Sequence, residues 1–299
     1  MTDARASQGD TAPNLGRAPW FDARLSPRDF QRIGAFVEAH TGIRMPEAKR
    51  TMVESRLRSR LRDLGLSSYT DYCDHALSGD EEELVKLVDQ VTTNKTDFFR
   101  EPAHFDYLVQ HACPTLARER GAGFVRDLTV WSAACSSGEE PYTLAMVLSE
   151  LAIVQPGFHF TILATDICTS VLEHAERAIY AEDRVDPVPP RLRARYLLQS
   201  RDRERKQVRI VPDLRERVTF RRLNLMEDRY PLREPVDIIF CRNVFIYFER
   251  KTQEQILNRF VRHLAPGGYV FLGHSEAING HDVPLKAVAP TTYRGPLAK

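Results

Sequence analysis

The sequence predicts an α/β protein: a doubly wound, mostly parallel sheet domain preceded by an all-helical N-terminal unit. Three observations carry this expectation. Over residues 20–91 apolar residues recur at helical spacing. Beyond about residue 127 short apolar runs alternate with helical segments, the pattern of successive βαβ units. The chain has 299 residues and a hydrophobic content of 42%, enough to bury two cores.

Taken in order, residues 1–19 are Ala, Gly, Pro, Asp and Arg without periodicity and are expected to form a disordered tail. In "SPRDFQRIGAFVEAHTG" Ser26 suits an N-cap, Pro27 the first helical position and Asp29 the positive end of the helix dipole. Ile33, Phe36, Val37 and His40 line one face before Gly42. Further helical patterns cover about 46–64, 68–78 and 80–91, the last with Leu84, Leu87, Val88 and Val91 in step. Residues 92–126 hold a connector and the first helix of the next domain. From 127 to 299, "DLTVWSAA", "FHFTILATD", "ERVTFRRLNL", "VDIIFCRNV" and "GGYVFLGHS" read as strands. "GEEPYTLAMVLSELA", "CTSVLEHAERAIY" and "RKTQEQILNRFVRHLAPGG" read as helices.

Composition narrows the function. A formal net charge of +1 gives no overall basic excess to attract nucleic acid. No apolar run approaches the roughly 20 residues that cross a bilayer, and the N-terminus has no apolar signal core, so a cytoplasmic protein without membrane insertion is expected. Five scattered cysteines in no Cys-x-x-Cys pair indicate neither a disulfide framework nor a zinc site, and no metal is expected.

Ligands of open α/β sheets bind beyond the carboxyl ends of the strands. After the first strand comes "SAACSSGEEPYTLAM", where small residues allow close backbone approach. Glu139 and Glu140 at the helix start would repel phosphate. They suit a ligand bearing positive charge, an amino group or hydroxyls, or they simply match the helix dipole. Asp166 ends the second strand, where an acid holds ribose hydroxyls or caps the next helix. Arg242, Asn243 and Tyr247 follow a run that reads as fully buried and need polar partners, from a nucleoside, a substrate or an internal network.

The segments "TTNKTDFFRE", "WSAACSSGEEPYTLAM", "ATDI", "NLMED", "IFCRNVFIYF" and "PGGYVFLGHSE" together resemble the chemotaxis receptor glutamate O-methyltransferases, the CheR family, over about residues 25–295. The resemblance implies a Rossmann-like, S-adenosyl-L-methionine-dependent methyltransferase domain, carrying a small inserted antiparallel β-subdomain at about 190–216. It also implies a role for the connector: Asn94, Thr96 and Arg100 line the site while Phe98 and Phe99 anchor the segment. Glu139 and Asp166 would bind the methionine or ribose portions, Asn224 and Leu225 would lie beside the adenine, and Arg242 with Asn243 would complete the pocket. Tyr247 would stand near the transferred methyl. The product would be a glutamate methyl ester and S-adenosyl-L-homocysteine.

A carboxylate acceptor is already ionised at neutral pH, so the missing catalytic histidine is no objection. Arg100 is expected to orient the carboxylate, unless it pairs with Glu101 or Glu139. The second helix, "KRTMVESRLRSRLRDLG", carries Arg56, Arg58, Arg60 and Arg62 around an apolar stripe. They form either a solvated face or a dock for a receptor's acidic methylation helices. Family members that tether to a receptor's C-terminal pentapeptide carry a glycine-rich turn in the insertion. Tyr196–Leu214 has no glycine, so no tether is expected. A monomer is expected. A nucleic-acid methyltransferase and a catalytically weak partner of the receptor array remain the other readings. Gly-x-Gly-x-x-Gly is absent, which argues against a nicotinamide enzyme.

Overall fold

The computed structural model describes residue 20 and residues 22–297, apart from the side chain of Arg203. The expected tail at 1–19 lies outside the described residues. The helical unit contains α1 (Pro27–Thr41), α2 (Arg50–Leu64, after a 3₁₀ turn at Glu47–Lys49), α3 (Tyr69–Ala76) and α4 (Glu81–Val91). The Ser26 hydroxyl accepts the Asp29 N–H at 3.1 Å, and α1 ends at Gly42 with φ 72°. Ile33, Val37, Val53, Leu57, Leu61 and Leu87 are wholly buried in one core.

The basic face of α2 is largely turned to internal use. Arg56 donates to the carbonyls of Gln90 and Thr92 at 3.2 and 2.5 Å, and Arg60 holds both Glu83 carboxylate oxygens at 3.0 and 2.6 Å. Arg58 and Arg62 keep more exposure but pair with Glu54 and Asp63. Four free arginines are therefore not available to a partner: two of them fasten α2 to α4 and to the start of the connector.

Beyond the connector, α5 (Ala103–Tyr107) widens into a π turn at Leu108–Ala112 and continues as α6 (Cys113–Arg120). The sheet domain follows: β1 (Leu128–Ala133), α7 (Glu139–Val154), β2 (Phe160–Asp166), α8 (Thr169–Arg177), then β3 (Ile179–Ala181), α9 (Pro190–Tyr196), β4 (Leu197–Gln199), β5 (Gln207–Ile210) and α10 (Pro212–Arg215). The chain closes with β6 (Val218–Arg222), β7 (Val236–Cys241), α11 (Arg250–His263), β8 (Leu264–Leu272), β9 (Lys286–Ala289) and β10 (Thr292–Arg294). The main sheet runs β6-β2-β1-β7-β8-β10-β9, with its first five strands parallel and β10 and β9 added antiparallel. Val130, Ile238 and Phe240 pack on one face and Trp131, Ile239 and Cys241 on the other. Burial on both faces explains why β7 is apolar almost throughout.

Three boundaries differ from the sequence expectation. The helix expected to reach Tyr180 ends at Arg177, because Ala178 turns left-handed at φ 55° and Ile179–Ala181 leave as a strand. That strand pairs in the antiparallel sheet β3-β5-β4, so the small sheet starts at Ile179 rather than near 190. The helix expected to run through Gly268 ends at His263. Pro266 cannot supply a helical N–H and disfavours helical backbone at Ala265.

The two units are joined at α8. The Asp89 carboxylate, on α4, accepts the N–H groups of Thr169 and Ser170 at 2.9 Å each and the Thr169 hydroxyl at 2.7 Å. It thus caps a helix of the other domain, a role for which Asp166 was the local candidate. Asp89→Ala is expected to lower unfolding free energy by about 1–2 kcal/mol. An unchanged denaturant midpoint would show that the contact contributes nothing.

Candidate active site

A cleft lies beyond the carboxyl ends of β1, β2, β6 and β7, where the strand order reverses direction about β1 and β7. Its lining comes from both units: Thr41, Ile43 and Lys49 from the helical one, residues 91–96 of the connector, and Ala134, Ser136, Asp166, Leu223, Asn224, Leu225, Asn243, Val244, Tyr247 and Phe248 from the sheet domain. The backbone around it is strained. Ala134, Ser136 and Asn243 hold φ values of 59°, 50° and 61° at the ends of β1 and β7, and Phe99 and Glu101 hold 52° and 57° in the connector. Left-handed non-glycine residues are costly and gather where surrounding structure forces a functional geometry.

Gly138, at φ 96°, completes the β1–α7 turn, where an added Cβ would lie 2.8 Å from both the Ala175 Cβ and the Tyr180 hydroxyl oxygen. The turn is stapled from two sides. Asp166, 6% exposed, accepts the Ser136 N–H at 2.8 Å and the Cys168 N–H at 2.9 Å, and the Ser136 hydroxyl donates to the Asn94 carbonyl at 3.0 Å. Burial pushes the Asp166 carboxyl above its usual range, while the backbone donors oppose that shift.

These contacts explain the mixed chemistry of "TTNKTDFFRE". Phe98 is buried edge-on to Tyr180 at 5.0 Å, and Phe99 packs on Phe105 while its N–H reaches the Thr143 hydroxyl at 3.1 Å. The phenylalanines seat the connector in the sheet domain's core, leaving Asn94, Lys95 and Thr96 along the cleft.

The structure thus brings Asn94, Thr96, Asp166, Asn224, Leu225, Asn243 and Tyr247 to one cleft, but places Arg100, Glu139 and Arg242 outside its lining. Glu139 is buried, taken up by the Ser137 hydroxyl at 2.7 Å and by Arg184, from the turn after β3, at 2.8 Å. Arg242 binds Glu140 at 2.7 Å and the Arg100 carbonyl at 2.6 Å, sandwiched near the Phe105 and Phe240 rings. Both acids of the "GEE" turn are therefore paired with arginines of the same chain and are not among the residues lining the cleft. Arg100 donates to the Lys95 carbonyl at 3.2 Å, and the pairing considered with Glu101 or Glu139 is absent among the described residues. Asn224 gives its amide N–H to the His40 carbonyl at 2.6 Å, which fixes it against the end of α1.

Other supporting groups escaped the sequence reading. Glu276, four residues past β8, accepts N–H groups from Asn243, Phe245 and Gly273 at 2.8, 2.8 and 2.6 Å and so shapes the loop that presents Tyr247. Its only signal was its place in "GHSE". Glu101 receives the Asn243 amide and the His274 N–H at 3.2 Å each, linking the connector to β7 and β8. Glu101, His104 and His274 bring possible ligand atoms within 4.8 Å of one another. The Arg242 guanidinium, 3.6 Å from Glu101 and 3.4 Å from His104, already supplies the positive charge there. Burial, then that arginine, pulls the His104 imidazole down to about 4, so the ring is neutral at pH 7.

Comparison with known proteins agrees with this geometry. The family model described as CheR methyltransferase, SAM binding domain, matches residues 94–294, and that described as CheR methyltransferase, all-alpha domain, matches residues 28–92. A chemotaxis protein methyltransferase of Borreliella burgdorferi is 40% identical over 272 residues, covering 90% of this chain and 95% of its own. That of Escherichia coli is 40% identical over 253 residues, covering 84% and 85%. Chemotaxis protein methyltransferase 2 of Pseudomonas aeruginosa is 39% identical over 266 residues, covering 89% and 92%.

Proposed function

The chain belongs to the CheR methyltransferase family and uses S-adenosyl-L-methionine, and from that premise we propose that it methylates glutamate side-chain carboxylates of chemoreceptors in sensory adaptation. One observation carries the choice of acceptor. Among the described residues the cleft is lined by no histidine and by a single carboxylate, Asp166, whose two oxygens already receive backbone N–H groups. An amine or hydroxyl acceptor would need a base to remove its proton, whereas a carboxylate arrives ionised.

The cleft suits the cofactor. Ile43, Leu225, Val244 and Phe248 offer an apolar slot for a purine, Asp166 an acceptor for ribose hydroxyls, and the small residues Ala134 and Ser136 close backbone approach. Asn94, Thr96 and Asn243 supply polar groups for the amino-acid end. When bound, the cofactor supplies an electrophilic sulfonium methyl. The chain's own residues then orient the acceptor and exclude water from it, Tyr247 from the cleft and Arg100 from the connector beside it.

Incubating the purified protein with labelled S-adenosyl-L-methionine and chemoreceptor-containing membranes should leave base-labile methyl ester in the membrane fraction. Label in added DNA or RNA instead, or cofactor binding with no ester, would overturn the proposal. Among the described residues no helix is long and apolar enough to cross a membrane.

Docking through the full basic face of α2 is reduced to Arg58 and Arg62, since Arg56 and Arg60 are held inside. Tethering through the small sheet is not expected. Lys206 occupies the left-handed position, φ 44°, before β5, and the charged turn of residues 200–206 flanks the open edge of β4. A charged side chain on an edge obstructs strand addition. A receptor's C-terminal tethering pentapeptide is therefore expected to show no binding by calorimetry at millimolar peptide, and micromolar affinity would refute this.

A further inference from the structure

We propose that Lys49 is a substrate-binding residue that holds the methyl-accepting carboxylate over Tyr247; this deepens the function proposed above and rests on it. Lys49 ends the 3₁₀ turn before α2 and is half-buried in the cleft wall. Its ammonium lies 4.9 Å from the centroid of the Tyr247 ring. Among the described residues it has no carboxylate partner, unlike Arg58, Arg60 and Arg62 on the same stretch. A partly buried ammonium has lost water and gained only a ring face in return. The cation that completes such a site is matched by an anion, and the one carboxylate that lines the cleft among the described residues, Asp166, is bound to the Ser136 and Cys168 N–H groups. Burial, then repulsion from Arg56, lowers the affinity of Lys49 for its proton, a further sign that the position lacks its counter-charge.

Two carboxylates enter this cleft, that of the acceptor and that of the cofactor's amino-acid end. The acceptor fits Lys49 better. Lys49 shares its wall with Tyr247, the two domains being joined there by the Arg44 N–H on the Tyr247 carbonyl at 3.0 Å. Of the polar groups suited to the amino-acid end, Asn94 and Thr96 belong instead to the connector, and only Asn243 stands on the loop that carries Tyr247. The arrangement makes the helical unit part of acceptor recognition at the reacting group, not only at the outer face of α2. It also gives a reason for the tight seam at Gly42, where an added Cβ would meet the Met226 sulfur at 2.7 Å.

The test compares wild type, Lys49→Met and Lys49→Arg in labelled methyl transfer to chemoreceptor-containing membranes, with calorimetry of S-adenosyl-L-homocysteine as the second readout. Lys49→Met keeps the stem and removes the charge. It is expected to lower kcat/KM by about 10–100-fold, the scale of one hydrogen bond to a charged group, mostly through KM. Its affinity for S-adenosyl-L-homocysteine should stay within about twofold of wild type, which also shows that the fold is kept. Lys49→Arg, which retains a cation above the ring, should recover most of the loss. Unchanged kcat/KM in Lys49→Met overturns the inference, as does a tenfold or greater loss of S-adenosyl-L-homocysteine affinity, which would assign Lys49 to the cofactor. Absence of ester with the wild-type protein would instead overturn the proposed function itself.

Discussion

Arg100→Lys is expected to lower kcat and kcat/KM together by about 10²–10³-fold, the usual scale for one charged contact made mainly in the transition state. Positive charge is conserved in this variant, but an ammonium cannot hold a carboxylate in one plane as the guanidinium fork does. The surroundings of Arg100 favour this role over a structural one. Glu101 is engaged by Asn243 and His274, Glu139 by Arg184, and among the described residues the Arg100 side chain bonds the Lys95 carbonyl alone, at 3.2 Å. Its own carbonyl is fixed by Arg242 at 2.6 Å, so the residue is anchored at the backbone, while its guanidinium has donors to spare beyond the one given to Lys95. A bracing residue would show the opposite arrangement. Steady-state kinetics and thermal unfolding of Arg100→Lys and Arg100→Ala separate the two: near-normal turnover in the alanine variant, or a melting temperature that falls more than the rate, removes Arg100 from the mechanism.

Asp166→Ala is expected to weaken S-adenosyl-L-homocysteine binding by about 10–100-fold, from loss of hydroxyl hydrogen bonds to a charged acceptor worth roughly 1.5–3 kcal/mol. Unlike a strand-tip acid that only faces ligand, Asp166 also holds the Ser136 and Cys168 N–H groups at 2.8 and 2.9 Å. Removing it orphans two donors beside a left-handed serine, so stability should fall by about 1–3 kcal/mol as well. Asp166→Asn keeps an acceptor oxygen and should show the smaller stability loss. Calorimetry with the cofactor product and a denaturant titration decide the matter, and unchanged affinity would leave Asp166 as a cap alone.

The sequence by itself determined the helical unit and the places of the main strands along the chain, because each rests on local causes. Ser26, Pro27 and Gly42 mark α1 by capping chemistry, and "VDIIFC" is apolar but for Asp237 because a central parallel strand is covered on both faces. It also marked the strand ends as the place of the cleft, and Asp166, Asn243 and Tyr247 stand there. Only the tertiary structure decided which charges are spent. That Arg56 and Arg60 belong to α4, that Glu139 and Glu140 belong to Arg184 and Arg242, and that Asp89 caps α8 across 80 positions of sequence follow from no local pattern. An ionic side chain reads the same along the chain whether it meets solvent, ligand or a distant partner. Desolvation forces each buried charge to find its complement, and the fold alone sets which one lies within reach.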